Sequence, residues 1–180
     1  HDVKVRLGAV YEQYIEDLDR AIDYYEEVID SDPDDRRANA ALERLMHRED
    51  APRRRASLIL EPLYVERDDW QSLVDALEVQ VDTSSDPDET VELLHRIAQL
   101  HYERGADTRS AFETYARALG DGVDDEETLD ALYQLAEELG DWEALEQVFE
   151  TESENQADPD VKRDLLWRAA SIYIERLDRM

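Results

Sequence analysis

The sequence comprises 180 residues, of which 48 are acidic and 20 are basic, so its formal net charge is −28. Such a surface repels phosphate backbones and anionic lipids, which argues against nucleic acid or a membrane surface as a partner. The chain has no cysteine, which excludes disulfides, thiolate nucleophiles and cysteine-ligated metals, and no apolar run approaches the roughly 20 residues of a membrane span.

Helix-forming residues dominate the composition, and only five glycines and five prolines are present. We therefore predict an all-α chain. The first residue is His rather than Met and no signal peptide follows, so we expect the natural N-terminus to lie upstream in a longer protein. We expect a soluble chain, with the bacterial cytoplasm and the periplasm both open as its compartment.

About ten helices are predicted in chain order, because apolar residues recur with the period of an α-helix. The second is typical: Ala21, Tyr25 and Val28 fall on one stripe within residues 18–31. The ten predicted helices cover residues 3–15, 18–31, 34–48, 52–66, 69–83, 88–104, 107–119, 125–139, 141–155 and 159–177.

The dipeptide Asp-Pro followed by an acidic residue appears three times, beginning at Asp32, Asp86 and Asp158. Asp caps a helix N-terminus and Pro suits the first helical turn, so each dipeptide is predicted to start a helix. Pro62, in contrast, lies in the middle of a helical pattern. It is predicted to kink or split that helix.

The helices also repeat in sequence. A shift of 72 residues lays Asp69 and Trp70 on Asp141 and Trp142, and a shift of 90 residues superimposes a three-residue stripe. Repeats of this length indicate stacked helical hairpins, none of which can bury its apolar face alone. The stripe comprises Ala21, Tyr25 and Ile29, which fall on Ala111, Tyr115 and Leu119.

The first repeat resembles a tetratricopeptide repeat (TPR) of the degenerate bacterial type. The resemblance rests on Leu7-Gly8 with Tyr11 in the first helix, Ala21 with Tyr25 in the second, and Pro33 in the closing turn. It implies a right-handed superhelical solenoid of antiparallel helix pairs. The array would comprise repeats 3–33, 52–85, 88–121 and 124–157, an unpaired helix at 34–48 and an incomplete repeat at 159–180.

The resemblance also implies a function, which is a non-catalytic scaffold for protein–protein interaction. Members of the family hold a peptide or a partner's helix on the inner face of the solenoid. We hypothesise a basic or polar partner segment, because the inward positions hold no Lys or Arg. An architectural spacer or a self-assembling segment of a larger protein is the alternative. The inward positions are Glu12, Gln13, His95, Gln99, Tyr102, Glu103, Asp130, Gln134, Glu137, Glu138, Trp167, Ser171 and Glu175.

One segment is positively charged although the chain as a whole is acidic, since residues 36–55 hold seven arginines and three acidic residues. These arginines could form a docking patch for an acidic partner. The interpretation that we favour is that they pair with acidic neighbours such as Asp34, Asp35, Glu61 and Asp68. The arginines are Arg36, Arg37, Arg44, Arg48, Arg53, Arg54 and Arg55.

No motif predicts catalysis, a cofactor or a metal ion. Asp30, Asp32 and Asp34 begin like a calcium loop, but Asp35 stands where that loop needs Gly and Ala41 where it needs Glu. None of the four histidines form the i, i+4 pair of a helical zinc site. The chain is therefore not expected to be an enzyme.

The last predicted helix lacks the partner helix that would complete its repeat. Leu166, Ala169, Ile172 and Tyr173 are therefore predicted to lack cover. We expect either that the natural protein continues with further repeats or that this end self-associates with another copy.

Overall fold

A computed structural model describes residues 2–123 and 125–177, and this part of the chain is helical throughout, with no strand. The predicted all-α class and ten helices are thereby confirmed. None of these helices combines the length and the apolar character needed to cross a bilayer. The helices are α1 (Asp2–Val10), α2 (Leu18–Ile29), α3 (Arg36–Met46), α4 (Arg53–Glu66), α5 (Trp70–Thr83), α6 (Pro87–Glu103), α7 (Thr108–Asp121), α8 (Glu126–Leu139), α9 (Trp142–Asn155) and α10 (Pro159–Ile172).

The chain divides into two compact units, His1–Ser84 with α1 to α5 and Ser85–Met180 with α6 to α10. Within each unit every helix packs against the next one along the chain, as in a helical solenoid. Helix α3, predicted to be unpaired, packs against both α2 and α4. How the helices group into repeats stays a prediction.

Aspartate side chains begin nearly every helix. Asp86 and Asp158 accept a hydrogen bond from the backbone N–H two residues later, and a proline follows each at the first helical position. The prediction for these two Asp-Pro pairs is confirmed. The prediction for Asp32 is wrong, because the chain makes a further turn and Asp35 caps α3 instead, accepting from the N–H groups of Arg37 and Ala38.

Pro62 does not split its helix, as α4 runs without a break from Arg53 to Glu66. A proline inside a helix removes the hydrogen bond to the carbonyl four residues earlier, here that of Leu58. Both residues are exposed, so water can hydrate this carbonyl and replace the missing donor.

In the first unit, α1 and α2 approach closely at Gly8. A Cβ atom at this position would lie 2.6 Å from Cε1 of Tyr25, whose ring is fully buried. Helix α1 then continues as a π-helical turn, Tyr11–Ile15, which ends at Glu16 in the left-handed conformation with φ of 60°. This turn carries Glu12 into the protein interior.

In the second unit, the core is a continuous cluster drawn from all five helices. Phe149 of α9 lies at its centre with no exposed surface, and Leu132 of α8 is equally buried. Ala169 and Ile172 of α10 belong to the same cluster. The prediction that these two residues lack cover is therefore wrong, because α9 packs along that side of α10.

Candidate partner-binding surface

Seven of the predicted partner-binding residues lie together on α6 and α8, and we call this set the α6–α8 surface. All seven side chains are exposed. The two helices are joined there by the Tyr102 hydroxyl, which donates a hydrogen bond to Oε2 of Glu138 at 3.0 Å. The set comprises Gln99, Tyr102, Glu103, Asp130, Gln134, Glu137 and Glu138.

The Glu138 carboxylate is held in place by two neutral donors. Besides Tyr102, the Thr108 hydroxyl at the start of α7 donates to Oε1 at 3.1 Å. The hydrogen bond to this carboxylate raises the pKa of Tyr102. Because neither donor carries charge, Glu138 is oriented while its negative charge is left available to a ligand.

A cavity of about 150 Å³ opens on this surface between α6, α7 and α8. Tyr115 and Leu135 are buried and form its inner wall with the half-buried Ala131. Gln99, Tyr102 and Gln134, all predicted partner-binding residues, line its exposed part. The inner wall was missed by sequence reasoning, because Tyr115 has the spacing of a core residue.

Unlike the seven residues of the α6–α8 surface, the predicted partner-binding residue His95 is buried, with only 9% of its surface exposed. Its Nε2 lies 2.7 Å from the Thr128 hydroxyl and 3.3 Å from Oδ2 of Asp125, and its ring lies 5.2 Å from that of Tyr115. Burial acts to raise the pKa of Asp125, but the hydrogen bonds that Thr128 donates outweigh this effect, and the pKa of Asp125 is lowered. The cluster links α6 and α7 to the start of α8 and offers little surface to a partner.

Glu12, an inward position by resemblance, is buried in the first unit with 5% of its surface exposed. Its Oε1 accepts from Nε of Arg44 at 2.9 Å, and its Oε2 accepts from Nη2 of Arg44 at 2.7 Å. The Tyr25 hydroxyl also donates to Oε2 at 2.9 Å. Glu12 therefore joins α1, α2 and α3, and it does not face a partner.

The arginines of residues 36–55 are largely paired within the chain. Arg55 contacts Asp23 and Glu26 of α2, each at 2.6 Å. Of the acidic neighbours predicted for this segment, Asp35 pairs with Arg37, whereas Asp34 pairs with Arg67. The other pairs are Arg37 with Asp2, Arg44 with Glu12, Arg48 with Asp50 and Arg53 with Asp82, while Arg54 contacts the carbonyl of Gln80 and Arg36 is exposed.

Gln13 and Glu175 are exposed on the π-helical turns Tyr11–Ile15 and Tyr173–Leu177, and the last two predicted residues lie on α10. The Trp167 side chain is 71% exposed, and Ser171, one turn later, is half-buried. Trp167 occupies the position that His95 has in α6, because a shift of 72 residues aligns the two helices. The His95 ring lies against Tyr115 of α7, whereas α10 is followed in the described residues by the short π-helical turn Tyr173–Leu177.

Comparison with known protein families gives a match for one segment of the chain. The model of the tetratricopeptide repeat family matches residues 5–38. Among solved structures, the chain aligns with the nearly identical TPR-like repeats of a Podosopora anserina protein named for the kinesin light chain. The identity is 16% and the TM-score 0.39, over 98% of this chain and 88% of that one. A single-substitution variant of that protein gives the same values. No curated protein matches the sequence.

Proposed function

We propose that the chain is a non-catalytic interaction module that holds a basic or polar segment of a partner protein on the α6–α8 surface. The match of residues 5–38 to the tetratricopeptide repeat model supports an interaction role. The observation that carries the proposal is the cavity, which brings Gln99, Tyr102 and Gln134 together beside an oriented carboxylate. Repeats of this family generally bind proteins or peptides.

The electrostatics of the α6–α8 surface favour a cationic partner. Glu103, Asp130, Glu137 and Glu138 lie on it, and within residues 2–123 and 125–177 no Lys or Arg side chain forms an ion pair with any of them. Uncompensated like charges on neighbouring helices repel each other, and a basic segment relieves this repulsion on binding.

We expect a fluorescein-labelled decapeptide of alternating Arg and Ser to bind the chain with an affinity that falls as salt is added, since salt screens exposed charges. The double substitution of Glu137→Lys and Glu138→Lys should raise the dissociation constant roughly tenfold at low salt. Fluorescence anisotropy measures both effects.

The matched control is Glu150→Lys with Glu154→Lys, two exposed positions on α9 that change the net charge by the same amount. This variant should keep most of the affinity, because its new charges lie off the α6–α8 surface. Equal losses in the two double variants would mean that the peptide responds to net charge alone, and the proposal would then be wrong.

Exposed apolar side chains favour a second function, which is self-association. On α10 and the π-helical turn that follows it, Leu166, Trp167, Tyr173 and Ile174 are exposed. An exposed apolar patch of this kind is typical of a surface that another molecule covers. Helix α1 and its π-helical turn expose a comparable set, comprising Val3, Leu7, Val10, Tyr14 and Ile15.

If the α10 patch mediates self-association, the average mass of the chain should rise with concentration, and Trp167→Glu with Tyr173→Glu should abolish that rise. Analytical ultracentrifugation from micromolar to millimolar concentration measures it. Leu58→Glu with Val65→Glu introduces the same charges on the exposed side of α4 and should leave the mass unchanged. A constant monomer mass in the unsubstituted chain would eliminate this second function.

A further inference from the structure

The cavity on the α6–α8 surface has two chemically different parts. Its inner wall is aromatic and aliphatic, formed by Tyr115, Ala131 and Leu135, and its exposed part carries the side-chain amides of Gln99 and Gln134. A cavity of about 150 Å³ accepts a group the size of a benzene ring. It is therefore large enough for one side chain of a partner and too small for a whole peptide segment.

Tyr102 lines this cavity, and its hydroxyl donates a hydrogen bond to the Glu138 carboxylate. Glu138 therefore lies next to the cavity. Each carboxylate oxygen has two acceptor sites, and Tyr102 and Thr108 each occupy one site on a different oxygen. One acceptor site on each oxygen is left for a ligand. A free site on each oxygen suits a donor that has two N–H groups side by side.

Resting on the proposed function, we infer that the cavity takes the side chain of a single arginine from the partner segment. The three methylenes of arginine would pack against Ala131 and Leu135, since an arginine stem buries well on apolar surface. The planar guanidinium would lie against the tyrosine rings that line the cavity and donate two hydrogen bonds to Glu138. A lysine offers one compact charge and cannot make the paired hydrogen bonds.

The test uses the full chain and three short peptides, acetyl-Gly-Ser-Ala-Arg-Ala-Ser-Gly-amide and its analogues with citrulline or lysine at the central position. Citrulline has the shape of arginine and no charge. Titration followed by the NMR signals of the Gln99 and Gln134 side-chain amides should give an affinity for the arginine peptide about threefold to fivefold higher than for the citrulline peptide. The lysine peptide should fall between them.

The variant Glu138→Gln should remove the difference between the arginine and citrulline peptides, whereas Glu150→Gln should retain it. A second variant, Ala131→Leu, fills the cavity without changing any charge and should weaken binding of the arginine and citrulline peptides alike. It keeps the inference testable if Glu138→Gln alters the fold.

Equal affinities for the arginine and citrulline peptides, a difference that persists in Glu138→Gln, or unchanged binding of both peptides by Ala131→Leu would overturn the inference. The proposed function would still stand if the alternating Arg-Ser decapeptide binds and loses affinity on charge reversal at Glu137 and Glu138. If neither that decapeptide nor the arginine peptide binds, both the proposed function and the inference fail.

Discussion

We expect Arg44→Ala to lower the free energy of unfolding by about 2 kcal/mol. The substitution removes both hydrogen bonds that Arg44 donates to Glu12 and leaves a buried carboxylate with Tyr25 as its neutral partner. An uncompensated buried charge costs about 3 to 5 kcal/mol, and we take a smaller value because roughly half of the Arg44 side chain is exposed. Urea unfolding followed by circular dichroism measures the change.

Arg48 provides the control, because it makes the same pair of hydrogen bonds to Asp50, at 2.6 and 2.8 Å. Asp50 is exposed, so Arg48→Ala should cost less than about 0.5 kcal/mol. Adding Glu12→Gln to Arg44→Ala should restore part of the stability, since a neutral amide is cheaper to bury than a charge. Equal losses for Arg44→Ala and Arg48→Ala would contradict a structural role for Glu12.

We expect Gly8→Ala to destabilise the chain by about 1 to 2 kcal/mol. The new methyl group would lie within 3 Å of three atoms of the Tyr25 ring, and overpacking of this kind typically costs about 1 to 3 kcal/mol. The ring cannot turn away freely, because its hydroxyl is bonded to Glu12. Alanine recovers up to about 1 kcal/mol through its higher helix propensity, which leaves a net loss. Thermal and urea unfolding both report it.

Gly120 in α7 separates the steric effect from helix propensity. A Cβ atom there would come no closer than 3.5 Å to any neighbour, and that neighbour is the flexible end of Glu152. Gly120→Ala should therefore stabilise the chain by about 0.5 to 1 kcal/mol. If Gly8→Ala is as favourable as Gly120→Ala, the close approach of α1 to the Tyr25 ring is not a constraint on the fold.

The two predictions concern one local arrangement that links α1, α2 and α3. Gly8 lets the Tyr25 ring approach α1 closely, Tyr25 donates a hydrogen bond to Glu12, and Glu12 accepts hydrogen bonds from Arg44 of α3. At the positions of the second unit that the 90-residue shift aligns with Gly8 and Tyr25, Ala98 and Tyr115 belong to the core, and the Tyr115 ring lies against His95. The same repeat pattern is thus compatible with two different polar networks.

Local features of the sequence determined the helices. Eight of the N-terminal caps are Asp side chains that bond to N–H groups two or three residues later, and such short-range interactions can be predicted from spacing alone. Apolar stripes with the helical period likewise predicted most of the core, including Ala21, Tyr25, Ala111 and Tyr115. The error at Asp32 arose because Asp35, three residues later, provides a competing cap.

The sequence also placed the α6–α8 residues on the same side of their helices. Gln99, Tyr102 and Glu103 share a face of α6, and Gln134 and Glu138 share a face of α8, so their exposure follows from helical geometry. Whether they bind a partner stays a prediction. The cavity between the helices could not be predicted, since its volume depends on how α7 seats Tyr115 against α8.

Only the tertiary structure could show which charged side chains are buried and which residues they pair with. Glu12 and Gln13 are adjacent acidic and polar residues at the end of the first helix, yet Glu12 is buried and Gln13 is exposed. Arg55 pairs with residues 29 and 32 positions earlier, and Arg44 with one 32 positions earlier. The physical reason is range: caps and stripes act over about four residues, whereas an ion pair between helices is fixed only once their packing brings distant side chains within reach.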